Sequence, residues 1–262
     1  MKKSQKFQLK PQKKNFSVEQ RVELWEKFDK EATKGEKTFI DVLQKYFTQQ
    51  ESLIVKKVKG YTRKEIDPDS IDDILNWSNQ DELLVTTMTP AWTESYKAGI
   101  TAANESYGMS GSFSLLNPTF KLWVEQGGLD EAKAINDTTK TALRSTLSEG
   151  IQAGEGIPKL RRRVESTYSD AKGYRAERIA RTETHNTVGM GNFHTYKNEG
   201  VKEKQWMSKL DGRVRSSHRA INREVVKIDE AFSNGLEFPG DSMGDAKEVV
   251  NCRCVLLPVI KV

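Results

Sequence analysis

Cys252 and Cys254 stand two positions apart near one end of the sequence, and His218 precedes them. In an extended segment, residues two apart point to the same face. Both thiols would then meet one neighbour, for which His218 is the candidate. Two chemistries follow. One is a Cys2His zinc site with a fourth ligand from Asp211, His185 or water. The paired ligand knuckles of many zinc modules are missing, and cysteines also serve as small buried hydrophobes. The other is a nucleophilic dyad of Cys252 or Cys254 with His218, which needs an exposed, electropositive thiol beside a base. Both cysteines open the apolar run Val255-Leu256-Leu257, which favours burial. Two cysteines this close are poorly placed to pair with each other, and they build no disulfide framework. Synthesis in a reducing host cytoplasm is expected.

Two further polar groupings precede the cysteines. Arg175, Arg178 and Arg181 recur every third residue and drift along one helix face. Glu177 can pair with Arg181 one turn on. Glu183, Thr184, His185 and Asn186 follow directly. This stretch reads as a site for an anionic group, as a buried network, or as a solvated helix face. The second grouping is Asp211-Gly212-Arg213-Val214-Arg215-Ser216-Ser217-His218, in which Asp211 can cap a short helix and His218 falls a turn after Arg215. A single histidine there could bind metal, act as a base or fill a polar core position. The sequence has no glycine-rich phosphate loop and no paired-histidine metalloprotease motif.

The elements that must hold these residues are mostly helical. Ser17 and Gln20 fit a reciprocal cap, followed by Val22, Trp25, Phe28, Ala32, Phe39, Leu43, Phe47, Ile54 and Val58 at helical spacing. Gly35 is a candidate break and Gly60 a candidate end. A second helix is expected from Ser70 or Ile71 to Val85, then another opened by Thr89-Pro90 and closed by Gly108. Asn117-Pro118 and Gly127-Gly128 bracket a short helix, and further helices are expected over 129–149, 157–168 and 172–198. Short strands follow at Lys204 to Ser208, Val225-Val226 and Arg253 to Ile260. Between the last two, Asn234-Gly235 and Pro239-Gly240-Asp241 imply a long surface loop. The fold class expected is α+β: a helical first two thirds, then a small α+β module with a short antiparallel sheet. The domain boundaries expected are a disordered basic tail at 1–16, a helical arm and hub at 17–170, and a module at 171–262.

Composition narrows the function classes. The chain has 262 residues, 36% hydrophobic and 30% charged. That suits helices with large solvated faces rather than one large core. No apolar run reaches membrane-spanning length, and no apolar stretch follows the lysine-rich start, so neither anchor nor signal peptide is expected. The net charge of +5 sits in Lys2, Lys3, Lys6, Lys10, Lys13 and Lys14. Without these six, 36 basic residues face 37 acidic ones. The lysines can hold a polyanion such as DNA with strong salt dependence, or they serve solubility alone. A broad nucleic-acid face is not expected elsewhere, although Arg161-Arg162-Arg163 forms a second small basic patch.

The order of the motifs says more than any one of them. Arg181-Thr182-Glu183-Thr184 with Asn186 is followed by Trp206, Asp211-x-Arg213-Val214-Arg215-x-x-His218, Phe232, Pro239-Gly240-Asp241 and Asn251-Cys252-Arg253-Cys254. This order resembles the C-terminal domain of the Mu F-like minor head proteins of tailed phages, the head-morphogenesis family, over about residues 175–258. The resemblance implies a virion component inside the head. It implies association with the portal, contact with major capsid or scaffold protein and packaged DNA, and a part in genome retention or ejection. It implies no catalytic reaction. Some relatives place cysteines near the positions of Arg215 and His218 and a histidine near Val249, so this chain would carry only part of such a ligand set. The resemblance also joins Arg181, Glu183, Asn186, Asp211, Arg215, His218 and Asn251 as candidates for one structural polar network. Two alternatives stay open: a phage-encoded nuclease or ADP-ribosyltransferase, and a DNA-binding protein using the lysine tail. Only eight residues follow Cys254, so any activity is expected in the module itself.

Overall fold

The computed structural model describes residues 17–62, 73–112, 118–209 and 211–259. The six lysines of the first sixteen residues, and Ser70, Ile71, Asn117 and Ile260, lie outside these. The elements run α1 (Val18–Gly60), α2 (Trp77–Tyr107), α3 (Pro118–Gln152), α4 (Ile157–Asp170), a π-helical turn (Ala171–Arg175), α5 (Ala176–Asn198), β1 (Glu203–Met207), α6 (Ser216–Ala220), β2 (Val225–Lys227), α7 (Ala246–Val249) and β3 (Val255–Val259). The fold is α+β, with long helices followed by one small antiparallel sheet.

The start of α1 is set locally. Gln20 N donates to Ser17 Oγ at 3.2 Å, and Ser17 N donates to Gln20 Oε1 at 2.9 Å, satisfying two donors at the helix end. Gly35 does not end this helix. It sits where a Cβ would come within 2.7 Å of Ser95 Oγ and of the Thr184 methyl, so its role is close packing. Thr89-Pro90 does not open a helix either, because α2 runs through Pro90. Thr89 Oγ1 instead donates back to Val85 O at 2.7 Å. Leu84, Met88, Ala91, Trp92 and Tyr96 are all buried. Their burial outweighs the proline penalty of about 3 kcal/mol. Gly127-Gly128 likewise lies inside α3. Gly108 closes α2 in the left-handed region, at φ 65°, as a C′ glycine does.

The chain condenses into two compact units, neither of them one continuous stretch. Of the described residues, the first unit takes 17–35, 92–112 and 181–259, and the second takes 36–91 and 118–180. The second unit has a polar heart. Tyr46 OH donates to Asn136 Oδ1 at 2.7 Å, and Tyr168 OH to Gln50 Oε1 at 2.8 Å. The turn before α5 contains Gly173 at φ −92°, ψ −117°, which interrupts the helical ladder. Gln44 Nε2 bonds the Lys172 carbonyl there at 3.0 Å.

In the first unit, β1 is the middle strand of the order β2-β1-β3, antiparallel to both neighbours. Trp206 faces Leu256, and Gln205 faces Val225 on one side and Leu257 on the other. The long segment after β2 is not a surface loop. Phe232, Leu236 and Phe238 are buried, and α7 lies within it. Among the described residues, no helix is long and apolar enough to cross a membrane.

Lys204 of β1 is fully buried, its Nζ 4.5 Å from the Phe193 ring centroid and 5.5 Å from that of Phe232. Burial brings its pKa down to about 8. Glu237, Asp229 and Asp241 oppose that shift and Lys197 adds to it. Between about pH 8 and its unfolded value of about 10.4, the unfolded chain holds the proton and the folded chain does not. Stability therefore rises with pH across that window. In urea titrations, wild type is expected to gain up to about 3 kcal/mol relative to Lys204→Met between pH 8 and pH 10.5. A pH-independent difference would refute the shift.

Candidate functional site

The segment that carries the cysteines enters through a turn that its neighbours hold in place. Asn251 adopts φ 57°, a left-handed conformation that asparagine tolerates better than most residues. Its backbone N–H donates to Thr182 Oγ1 at 3.1 Å. Helix α5 then fastens the following residues through their carbonyls. A neutral His185 donates from Nε2 to Cys254 O at 2.6 Å, and Tyr196 OH donates to Leu256 O at 3.3 Å. Burial pushes the pKa of His185 below its ordinary value. From α1, Trp25 Nε1 donates to Arg253 O at 2.9 Å.

Helix α6 brings His218 to the same place. Arg215, just before α6, donates to the carbonyls of Glu248 and Val250 at the end of α7. Ser208 Oγ donates to His218 O at 2.6 Å and accepts from Trp206 Nε1 at 3.2 Å. The indole of Trp206 stands edge-on to the imidazole, with centroids 5.0 Å apart. His218 Nδ1 then lies 3.3 Å from Cys254 Sγ and 3.8 Å from Cys252 Sγ. All three residues are at most 2% exposed. On the far side of the ring, Glu248 Oε2 is 2.9 Å from Nε2, off the N–H axis, so Nε2 has no hydrogen bond of good geometry. Ser217 Oγ donates to the same carboxylate oxygen at 3.0 Å.

The two thiols titrate as a pair. Cys252 and then His218 hold Cys254 well below the usual thiol range, against the effect of burial. Cys254 and then burial push Cys252 well up. The pair thus favours one thiolate and one thiol. Cys254, His218 and Glu248 stand in the order of a nucleophile, a base and an orienting acid. A nucleophile must meet its substrate, however, and Cys254 is 2% exposed. An open hollow of about 500 Å³ lies nearby, lined by Ser217, Ile221, Leu236, Lys247 and Glu248 among others. Neither sulfur lines it.

The other sequence candidates lie around this cluster. Asp211 receives the Arg213 N–H at 3.0 Å and pairs with Arg253 at 3.1 Å. Neither Asp211 nor His185 belongs to the group of ligand atoms formed by His218, Cys252 and Cys254. Glu183 is buried and accepts from Trp92 Nε1 at 2.8 Å. Asn186 is buried, with neither side-chain amide atom hydrogen-bonded to protein. The backbone of Gly240 lies against Asn186 and His185 so closely that a Cβ would stand 3.2 Å from His185 Cδ2. Arg181 is half-buried on α5. Arg175 is buried in the second unit, where it donates to Thr139 Oγ1 and Ile135 O, each at 3.2 Å. Sequence reasoning missed Glu248, Ser208 and Trp25. Glu248 sits in a four-residue helix, too short to show a period, and Trp25 acts on a carbonyl, which has no residue type to recognise.

Comparison with known proteins finds similarity over the segment that carries this site. Residues 141–257 match the family described as Phage Mu protein F like protein, and this stretch carries α4, α5, most of the sheet and the cysteine–histidine cluster. The minor head protein GP7 of Bacillus phage SPP1 is 31% identical over 124 residues, which cover 45% of this chain and 40% of that protein. The NAD(+)--arginine ADP-ribosyltransferase EFV of Enterococcus faecalis is 30% identical over 124 residues, 45% of this chain and 25% of that enzyme. The Bacillus subtilis protein YqbB is 26% identical over 159 residues, 56% of this chain and 51% of that protein. The chain thus spans about half or less of the length of each relative. No solved structure matches.

Proposed function

We propose, from the match of residues 141–257 to the Phage Mu protein F like family, that this chain is a minor protein of a tailed-phage head. It sits inside the head near the portal and acts in head morphogenesis and in genome retention or ejection. The observation that carries this reading is the 31% identity to a phage minor head protein. It falls on a chain whose polar motifs are spent on holding a compact module: Thr182, His185 and Tyr196 bond the segment from Asn251 to Leu256. The partner is the portal protein, with major capsid or scaffold protein as neighbours. Lys2, Lys3, Lys6, Lys10, Lys13 and Lys14 supply the contact to packaged DNA. Mass spectrometry of cross-linked virions and procapsids is the test. The chain is expected in both, in few copies, cross-linked to portal. Its absence from both overturns the reading.

The match to an ADP-ribosyltransferase favours a second reading, in which the module has an activity of its own. In that case Glu183→Gln or His218→Ala would abolish NAD-dependent modification of arginine while the fold persisted. An inactive wild type refutes it.

A further inference from the structure

We propose that His218, Cys252 and Cys254 bind one zinc ion, with a water as fourth ligand and Glu248 holding the imidazole from behind. Two thiolates and an imidazole form a borderline-soft donor set that suits zinc. The spacing suits it too. With Zn–S of about 2.3 Å and Zn–N of about 2.0 Å in a tetrahedron, a nitrogen and a sulfur stand roughly 3.5 Å apart. The two N···S separations here, 3.3 and 3.8 Å, lie on either side of that value. All three ligand atoms fall within 4.8 Å of one another.

The surroundings point the same way. Metal at Nδ1 leaves the proton on Nε2, which faces Glu248 Oε2 at 2.9 Å. A small ring rotation would complete that hydrogen bond and satisfy a buried nitrogen that otherwise has none of good geometry. A carboxylate behind a ligating histidine is the usual second partner in zinc sites, where it fixes tautomer and orientation. Ser217 holds the same carboxylate oxygen at 3.0 Å. Two thiolates also neutralise a divalent ion, so the ion with its two thiolates, imidazole and water carries no net charge. Three ligands come from two segments, Cys252 and Cys254 from one and His218 from the other. Zinc would therefore staple α6 to the start of β3.

The test uses the full chain purified without chelator. Elemental analysis is expected to find about one zinc per chain, and thiol titration after denaturation two free thiols. Cobalt exchanged for zinc is expected to give thiolate-to-cobalt absorption, lost in Cys254→Ser. Because Cys254 is buried, that variant could fail to fold. Glu248→Gln keeps all three ligands and is the second arm. It is expected to weaken zinc affinity by roughly tenfold to a hundredfold in competition with a chromophoric chelator. Substoichiometric zinc with a melting temperature unmoved by chelator overturns the proposal. A Cys252–Cys254 disulfide in the purified protein also overturns it. Unchanged zinc affinity in Glu248→Gln overturns the role given to Glu248.

Discussion

Gly191→Ala is expected to lower the melting temperature by about 10 °C. A Cβ at Gly191 would stand 2.3 Å from Tyr96 O and 3.2 Å from the Cα of Gly99. The reciprocal position is as tight, since a Cβ at Gly99 would stand 2.1 Å from Val188 O. These neighbours are backbone atoms, so no rotamer change relieves the clash and α2 must move away from α5. Two hydrogen bonds span that crossing. Trp92 to Glu183 is 2.8 Å long, and Tyr96 to His194 is 2.7 Å. Overpacking costs about 1–3 kcal/mol, and each stretched bond adds about 1 kcal/mol. For a chain of this size, each kcal/mol moves the midpoint by roughly 2–4 °C. Gly60 has nothing within 4 Å of its added Cβ, so Gly60→Ala is the control. Scanning calorimetry of both variants decides the matter. A Gly191→Ala midpoint indistinguishable from that of Gly60→Ala would contradict the close approach.

Trp206→Ala is expected to destabilise by about 3–5 kcal/mol, the usual range for deleting a buried tryptophan. Trp206 is fully buried on the middle strand. It touches the rings of His218 at 5.0 Å and Phe232 at 5.2 Å. Its Nε1 also holds Ser208, which in turn holds the His218 carbonyl. Removing the indole therefore opens a cavity and frees the ring that faces both sulfurs. Trp206→Phe keeps most of the apolar volume and should lose less than half as much. Urea unfolding followed by far-ultraviolet circular dichroism measures both. Equal losses in the two variants would mean that the volume of the ring is not what matters.

Much of this architecture is legible in residue types where the controlling interaction is local. The Ser17–Gln20 cap, the left-handed Gly108 and the positions of three short strands all depend on neighbours within a few residues. Pro90 and Gly127-Gly128 mislead for the opposite reason. Each is a genuine local cost, but Leu84, Met88, Trp92, Ala132 and Ile135 on either side are buried, and burial of that extent carries the helix through. The meeting of His218 with two cysteines could be anticipated because all three are rare types with a fixed register. Glu248 could not, as nothing in Asp245-Ala-Lys-Glu-Val distinguishes its carboxylate from other surface acids. His185 was visible as a titratable ring, but its partner is the carbonyl of Cys254, and any residue would supply one.

The clamps on the last strand have a consequence for how copies of this chain behave when crowded together. β3 is an edge strand, and an edge strand with free carbonyls invites a second chain to extend the sheet. Here Tyr196 occupies the Leu256 carbonyl of β3, Trp25 and His185 occupy those of Arg253 and Cys254 just before the strand, and Pro258 withholds an N–H. Side chains from two helices thus hold the entry to this strand and one of its carbonyls. Polymerisation through this edge would first require Trp25, His185 and Tyr196 to let go, so helix packing doubles as a guard against fibre growth.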